Sequence, residues 1–193
     1  AWNYFTTNQE IKIAALDNLT DDDRLIASLT GKGKDLTTSS SLNEIGNVLK
    51  GSTVALDFTT NPFTWFTTSL LPAINETFED GDKIWYTDLE GKNLPEGLTS
   101  YDAEDKVNLE NVLNSNLTQT MEGAKYDFAV SFAPVATALE KQTSKFKTVA
   151  RTSTHLSDAY QPSTWAVNTK WLNENEDTFK KFMVGLVKGM NYR

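Results

Sequence analysis

The stretch Gly51–Leu71, GSTVALDFTTNPFTWFTTSLL, constrains the fold more than any other part of the chain. Thr53 to Phe58 is a short apolar run of β-formers with Asp57 near its end, the pattern of a strand covered on both faces. The chain then turns at Phe58-Thr59-Thr60-Asn61. Asn61 suits a helix N-cap and Pro62 the first helical position, where a missing N–H costs nothing. A helix is expected from Pro62 to Phe78. Ligands of open α/β sheets sit beyond the carboxyl ends of strands, where this turn lies. Backbone N–H groups at the helix start, with the hydroxyls of Thr59, Thr60 and Thr64, would offer donors to an anionic or polar ligand. The same residues also describe an ordinary βα turn with a well-capped helix. Trp65 and Phe66 either wall a pocket or, at helical spacing, pack in the core.

The rest of the chain repeats this alternation. Ile11–Leu16 reads as a strand, preceded by what resembles the end of a helix. Asp17–Asp23 is a polar crossing, Leu25–Leu29 a short apolar stretch, and Gly31–Ser41 a flexible loop rich in Gly, Lys and hydroxyl residues. That loop lacks the G-x-x-x-x-G-K-[ST] order of a phosphate loop. Ser41-Leu42-Asn43-Glu44 starts a short helix. Strands are expected at Lys83–Leu89, Tyr126–Phe132, Phe146–Arg151 and Ser163–Val167. Helices are expected at 102–113, 116–123, 134–142 and 173–190, with an exposed loop at 90–100. Alternating strands and helices specify an α/β class with a largely parallel sheet.

Composition narrows the chemistry. The formal net charge of −8, with scattered Lys and Arg, argues against nucleic acid as a partner. Cys is absent, which excludes disulfides, thiolate metal sites and cysteine nucleophiles. With one histidine in the chain, His155, a His-based triad or a two-histidine metal site is excluded without a second chain. His155 is read as a surface residue. Asp21–Asp23 lacks the alternating ligands and the glycine of a calcium loop, so no metal is expected. No G-x-S-x-G elbow or HExxH motif occurs, and neither a signal peptide nor a membrane-length apolar run is visible.

Three segments together resemble the nitrate/sulfonate/taurine substrate-binding family of ABC transporters: Leu49–Thr60 (LKGSTVALDFTT), Met121–Val135 (MEGAKYDFAVSFAPV) and Trp165–Val187 (WAVNTKWLNENEDTFKKFMVGLV). The second segment carries Phe132 and Ala133 where the family has a Trp-Glu pair. Ala133 removes a carboxylate that would bind an amine, so ligands with a cationic group are disfavoured at that position. The resemblance implies a type II periplasmic-binding-protein-like α/β fold, with one complete three-layer lobe plus parts of the second. On that reading residues 1–23 belong to a partial first lobe, 24–160 form the second lobe and 161–193 return to the first, so the chain is an internal fragment.

The function implied is that of a non-enzymatic, cofactor-free solute-binding component of an ABC importer. It would bind a small polar or anionic molecule and deliver it to a permease outside the cytoplasm. Any lipid attachment would come from residues outside this chain, and a dimer by fragment or lobe exchange is conceivable. Expected ligand contacts are Thr59, Thr60, Asn61, Thr64, Ser131 and Phe132. Two alternatives share the fold: the effector-sensing domain of a regulator, and a thiamine-pyrimidine enzyme or binding protein. Absent Cys and a single His weigh against the enzyme.

Overall fold

Period-two alternation along three central strands sets the layers. In β2 (Arg24–Ser28), Leu25 and Ala27 face one apolar cluster while Ile26 faces another. In β3 (Thr53–Leu56), Val54 and Leu56 divide from Ala55 in the same way. In β6 (Phe128–Ser131), Phe128 and Val130 divide from Ala129. Strands buried on both faces need a helical layer on each side, which is a three-layer α/β/α arrangement. The computed structural model describes residues 10–16, 23–86, 103–123, 125–156 and 164–190. The expected helix end before Ile11, the crossing at 17–22 and the loop at 90–100 lie outside the described residues.

The larger of two compact units comprises residues 19–160. Its sheet has the order β4-β5-β3-β6-β2-β7, with β4 at Trp85–Tyr86, β5 at Lys106–Asn111 and β7 at Phe146–Arg151. β3 runs parallel to β5 and β6, and β4 parallel to β5, whereas β2 is antiparallel to both β6 and β7. One strand therefore opposes five. The start of β2 consequently lies at the edge where its neighbours end.

Helices α1 (Leu42–Leu49), α2 (Asn61–Trp65) and α3 (Leu71–Asn75) supply Ile45, Leu49, Trp65, Leu71 and Ile74 to the first cluster. Helices α4 (Asn114–Glu122) and α5 (Val135–Glu140) supply Leu117, Met121, Ala136 and Leu139 to the second, and the short α6 (Thr152–His155) follows β7. α1 begins with a complete capping box: Glu44 N–H donates to Ser41 Oγ at 3.2 Å, and Ser41 N–H donates to Glu44 Oε2 at 2.7 Å. At its other end the Lys32 ammonium donates to the Lys50 and Gly51 carbonyls at 3.3 and 3.0 Å, a cation on the negative end of the helix dipole. Gly51 has φ +65°, a left-handed conformation that glycine adopts without a Cβ penalty.

Several expectations are corrected. The segment 102–113, expected to be helical, carries strand β5. Its acidic start imitates a helix first turn, but Val107 and Leu109 alternate with exposed Asn108 and fit a half-solvated strand near the sheet edge. Thr60, not Asn61, is the N-cap of α2, and Asn61 is the first helical residue. The helix expected over 62–78 is interrupted by a π-helical stretch, Phe66–Leu70, and ends at Asn75. Pro72 explains the interruption, since its ring lacks the N–H and displaces the carbonyl one turn back. The segment Gly31–Ser41 is packed rather than flexible: it forms a 3₁₀ turn at Lys32–Asp35, Lys32 N–H donates to Asp127 Oδ1 at 2.9 Å, and a Cβ on Gly33 would stand 2.5 Å from the Phe128 ring.

The smaller unit comprises residues 1–18 and 161–193. β1 (Ile11–Leu16) pairs antiparallel with β8 (Thr164–Asn168), and α7 (Thr169–Glu174) and α8 (Glu176–Met190) follow. The helix expected over 173–190 thus divides at Asn175. None of the described side chains of α7 and α8 is buried, and Phe182 and Val187 are 49% and 52% exposed.

Gly46 tests the α1–α3 packing. A Cβ there would meet Phe78 Cε2 at 2.5 Å and Ile74 Cγ2 at 2.6 Å. Gly46→Ala, which would stabilise an isolated helix by about 1 kcal/mol, is expected instead to destabilise by about 1–3 kcal/mol through overpacking. Urea denaturation reads the sign, and a stabilised variant would refute the close approach.

Candidate functional site

The carboxyl edge of the large sheet gathers residues from five strands whose termini meet there. Arg24 at the start of β2 lies opposite Ser131 at the end of β6 and Arg151 at the end of β7. Asp57 follows β3, and Asn111 ends β5 beside Leu56.

Asp57, 4% exposed, organises the turn after β3. Its Oδ1 accepts from Thr59 N–H at 3.0 Å and from Thr59 Oγ1 at 2.7 Å, and its Oδ2 accepts from Asn114 N–H at 3.0 Å at the start of α4. Thr60 Oγ1 donates to the Asp57 carbonyl at 3.0 Å, and Phe58 N–H donates to Asn111 Oδ1 at 3.1 Å. Burial, the largest single influence, would raise the Asp57 pKa. The bonds from Thr59 Oγ1, Asn114 N–H and Thr59 N–H together outweigh it and hold the carboxyl below its ordinary value.

Asn61 Nδ2 donates to Asp23 Oδ2 at 2.7 Å, which ties the first residue of α2 to the start of β2. Asp23 is 2% exposed. Buried Ser131 donates from Oγ to Asn114 Oδ1 at 2.8 Å. On the α5 side, the Glu140 carboxylate takes Arg24 on one oxygen and Arg151 Nη2, at 2.6 Å, on the other. α5 follows a cis Ala133–Pro134 peptide.

The expected contacts therefore fall into three groups. Thr59, Thr60 and Asn61 stand on the surface of the edge, but the hydroxyl protons of both threonines and the Asn61 amide are engaged within the protein. Ser131 and half-buried Phe132 end the strand next to Asp23, with Ser131 holding Asn114. Thr64 lies exposed one turn into α2, with its carbonyl accepting from Thr68 Oγ1 at 2.7 Å. Trp65 and Phe66 are both fully buried core residues. Aromatic surface at the edge comes instead from half-buried Phe58 and Phe63, whose ring centroids are 4.9 Å apart, and from Phe132. His155, read as a surface residue, is half-buried: Nδ1 accepts from Arg151 N–H at 3.3 Å, which leaves Nε2–H to donate to the Ser40 carbonyl at 3.1 Å.

Asp23, Asn114 and Glu140 escaped sequence reading because their partners are far away in the chain. Asp57 was visible at the strand end, and Thr59 two residues later is the local signal of an Asx turn. Among the described residues, no group of three or more His, Cys, Asp or Glu side chains could hold a metal ion, and no helix is long and apolar enough to cross a membrane.

The depressed Asp57 pKa sets the sign of a pH effect. Stability from this carboxylate is fully present above its unfolded value of about 3.9 and is lost as pH falls through the lower folded value. Asp57→Asn is expected to be less stable than the parent at pH 7, with a smaller loss between pH 5 and pH 2. Urea midpoints measured across that range check it, and parallel curves would contradict the assignment.

No protein-family model matches the chain, and no curated protein matches it in sequence. Solved structures do resemble it. The periplasmic aliphatic sulphonate binding protein SsuA from Escherichia coli superposes with a TM-score of 0.58 at 6% identity, over 94% of this chain and 48% of that one. A putative periplasmic sulfonate-binding protein SsuA from Methylobacillus flagellatus KT gives 0.58 at 15% identity, over 96% and 44%. The alkanesulfonate-binding protein SsuA from Xanthomonas axonopodis pv. citri, bound to MOPS, gives 0.52 at 7% identity, over 92% and 47%. The chain thus spans less than half the length of these proteins, and what it shares with them is the α/β fold of periplasmic binding proteins.

Proposed function

We propose that this chain is part of a non-enzymatic solute-binding component of an ABC importer, and that the carboxyl edge of the large sheet is its half of the ligand site. The supporting observation is the convergence there of the β3–α2 turn, the β6 end and the start of β2, in a fold shared with three sulfonate-binding proteins. In this reading residues 24–160 form one lobe, while 1–23 and 161–193 contribute to another. The open apolar face of α8, with Phe182 and Val187 half exposed, is what a helix awaiting the rest of its lobe presents.

The ligand is a small polar or anionic molecule such as a sulfonate or nitrate. Thr59, Thr60, Asn61 and Thr64 would contact it from the α2 start, Phe132 would supply an apolar wall, and Ser131 would act by positioning Asn114. Closure of two lobes would exclude water and present the loaded protein to a permease outside the cytoplasm. Attachment to a membrane through lipid would rest on residues beyond this sequence, and lobe exchange between copies would complete the site in a dimer.

A thermal-shift panel tests the reading, with alkanesulfonates, taurine, nitrate, carboxylates and thiamine-type pyrimidines offered to the 193-residue chain and to a longer polypeptide that completes both lobes. The complete protein is expected to gain about 2.7 kcal/mol from a ligand at a hundredfold excess over its Kd, and Thr60→Ala to lose most of that gain. The 193-residue chain is expected to respond weakly or not at all. Tight binding by that chain as a monomer would sink the two-lobe site, and silence of the complete protein across the panel would sink the ligand class.

A further inference from the structure

Among the described residues, two buried side-chain atoms, Trp65 Nε1 and Thr152 Oγ1, have no hydrogen-bond partner. Trp65 is fully buried and Thr152 is 4% exposed. An indole N–H or a hydroxyl removed from water without a partner is left with its full desolvation penalty, and buried Trp normally finds an acceptor.

Strand register and helix spacing bring the two together. Arg24 pairs with Arg151, so the next residues outward, Asp23 and Thr152, are neighbours across the β2–β7 edge. Arg24 and Arg151 both reach Glu140 on the α5 side, and alternation along a strand puts Asp23 and Thr152 on the opposite side. That is the face on which α2 packs, since Trp65 belongs to the same apolar cluster as Leu25, Val149 and Ala150. Asn61, four residues before Trp65 and on the same face of the helix, already donates to Asp23 Oδ2 at 2.7 Å. Trp65 therefore lies one helical turn below a residue anchored to the neighbour of Thr152.

We infer that Trp65 Nε1 and Thr152 Oγ1 share a buried ordered-water site between α2 and the end of β7, adjoining the Asp23 carboxylate. A water there accepts from the indole N–H and exchanges a hydrogen bond with the Thr152 hydroxyl, two of the roughly three bonds that a buried water makes. The indole can only donate, so its partner must be an acceptor, and a water can accept from it while still serving the hydroxyl. Together with the Asn61–Asp23 bond, this water would pin the first turn of α2 to β2 and β7, and so set the position of Thr60 and Asn61 at the edge. The site goes beyond the solute-binding reading and does not depend on it.

A double-mutant cycle on the 193-residue chain, read by urea denaturation, tests it without any solute. Trp65→Phe and Thr152→Val remove one hydrogen-bonding group each at similar size. Each is expected to lower the folding equilibrium constant about tenfold, and the double variant to lose less than the product of the two. Thr152→Ser, which keeps the hydroxyl, is expected to keep the coupling to Trp65. If either Trp65→Phe or Thr152→Val leaves stability unchanged or raises it, the atoms are unpartnered and the site does not exist; additive losses would mean two separate sites and would overturn the shared one. In the parent protein, water-selective NMR should show a cross-peak from the indole N–H that disappears in Trp65→Phe. Coupling without that cross-peak would assign a direct Trp65–Thr152 bond and overturn the water.

Discussion

Burial of β2, β3 and β6 on both faces is the constraint on which the rest of the large unit depends. With Leu25, Val54 and Phe128 facing one helical layer and Ile26, Ala55 and Ala129 facing the other, neither layer can be removed without exposing a continuous apolar surface. Close approaches follow from it. Gly33 lets the 3₁₀ turn rest on Phe128, and Gly46 lets α1 meet Ile74 and Phe78. Because both faces are covered, polar chemistry is displaced to the strand ends.

At the carboxyl edge those polar groups satisfy one another before they can serve a ligand. Asp57 draws Thr59 and Asn114 together, Asp23 holds Asn61, Ser131 holds Asn114, and Glu140 bridges two arginines. A preorganised edge of this kind costs little further entropy when a ligand docks, because the turn is already ordered. On the proposed reading, an anionic solute would have to use backbone N–H groups or exchange the internal bonds at Thr59 and Thr60, since their hydroxyl protons are engaged.

Much of this was legible in the chain. The strand–turn–helix at Thr53–Trp65 is local, marked by β-formers, hydroxyl residues and a proline within a few positions. Ser41 and Glu44 signalled the α1 capping box at a spacing of three. The β5 strand was not legible, because a short amphipathic run with an acidic start has no decisive period until β3 and β4 lie beside it. The break at Phe66–Leu70 had its sign in Pro72, yet a proline can kink, end or locally widen a helix, and packing against the core selects among these.

Sequence by itself determined the α/β alternation, the exclusion of cysteine and multi-histidine chemistry, and the turn at Thr59–Asn61, since each depends on residue type and short-range spacing. Tertiary structure alone decided that Asp23, Asn114 and Ser131 gather around that turn, that Trp65 and Phe66 belong to the core, and that β2 runs against its neighbours. These are pairings between residues tens of positions apart. They are fixed by which apolar faces must be covered at once, a condition that only the assembled layers impose.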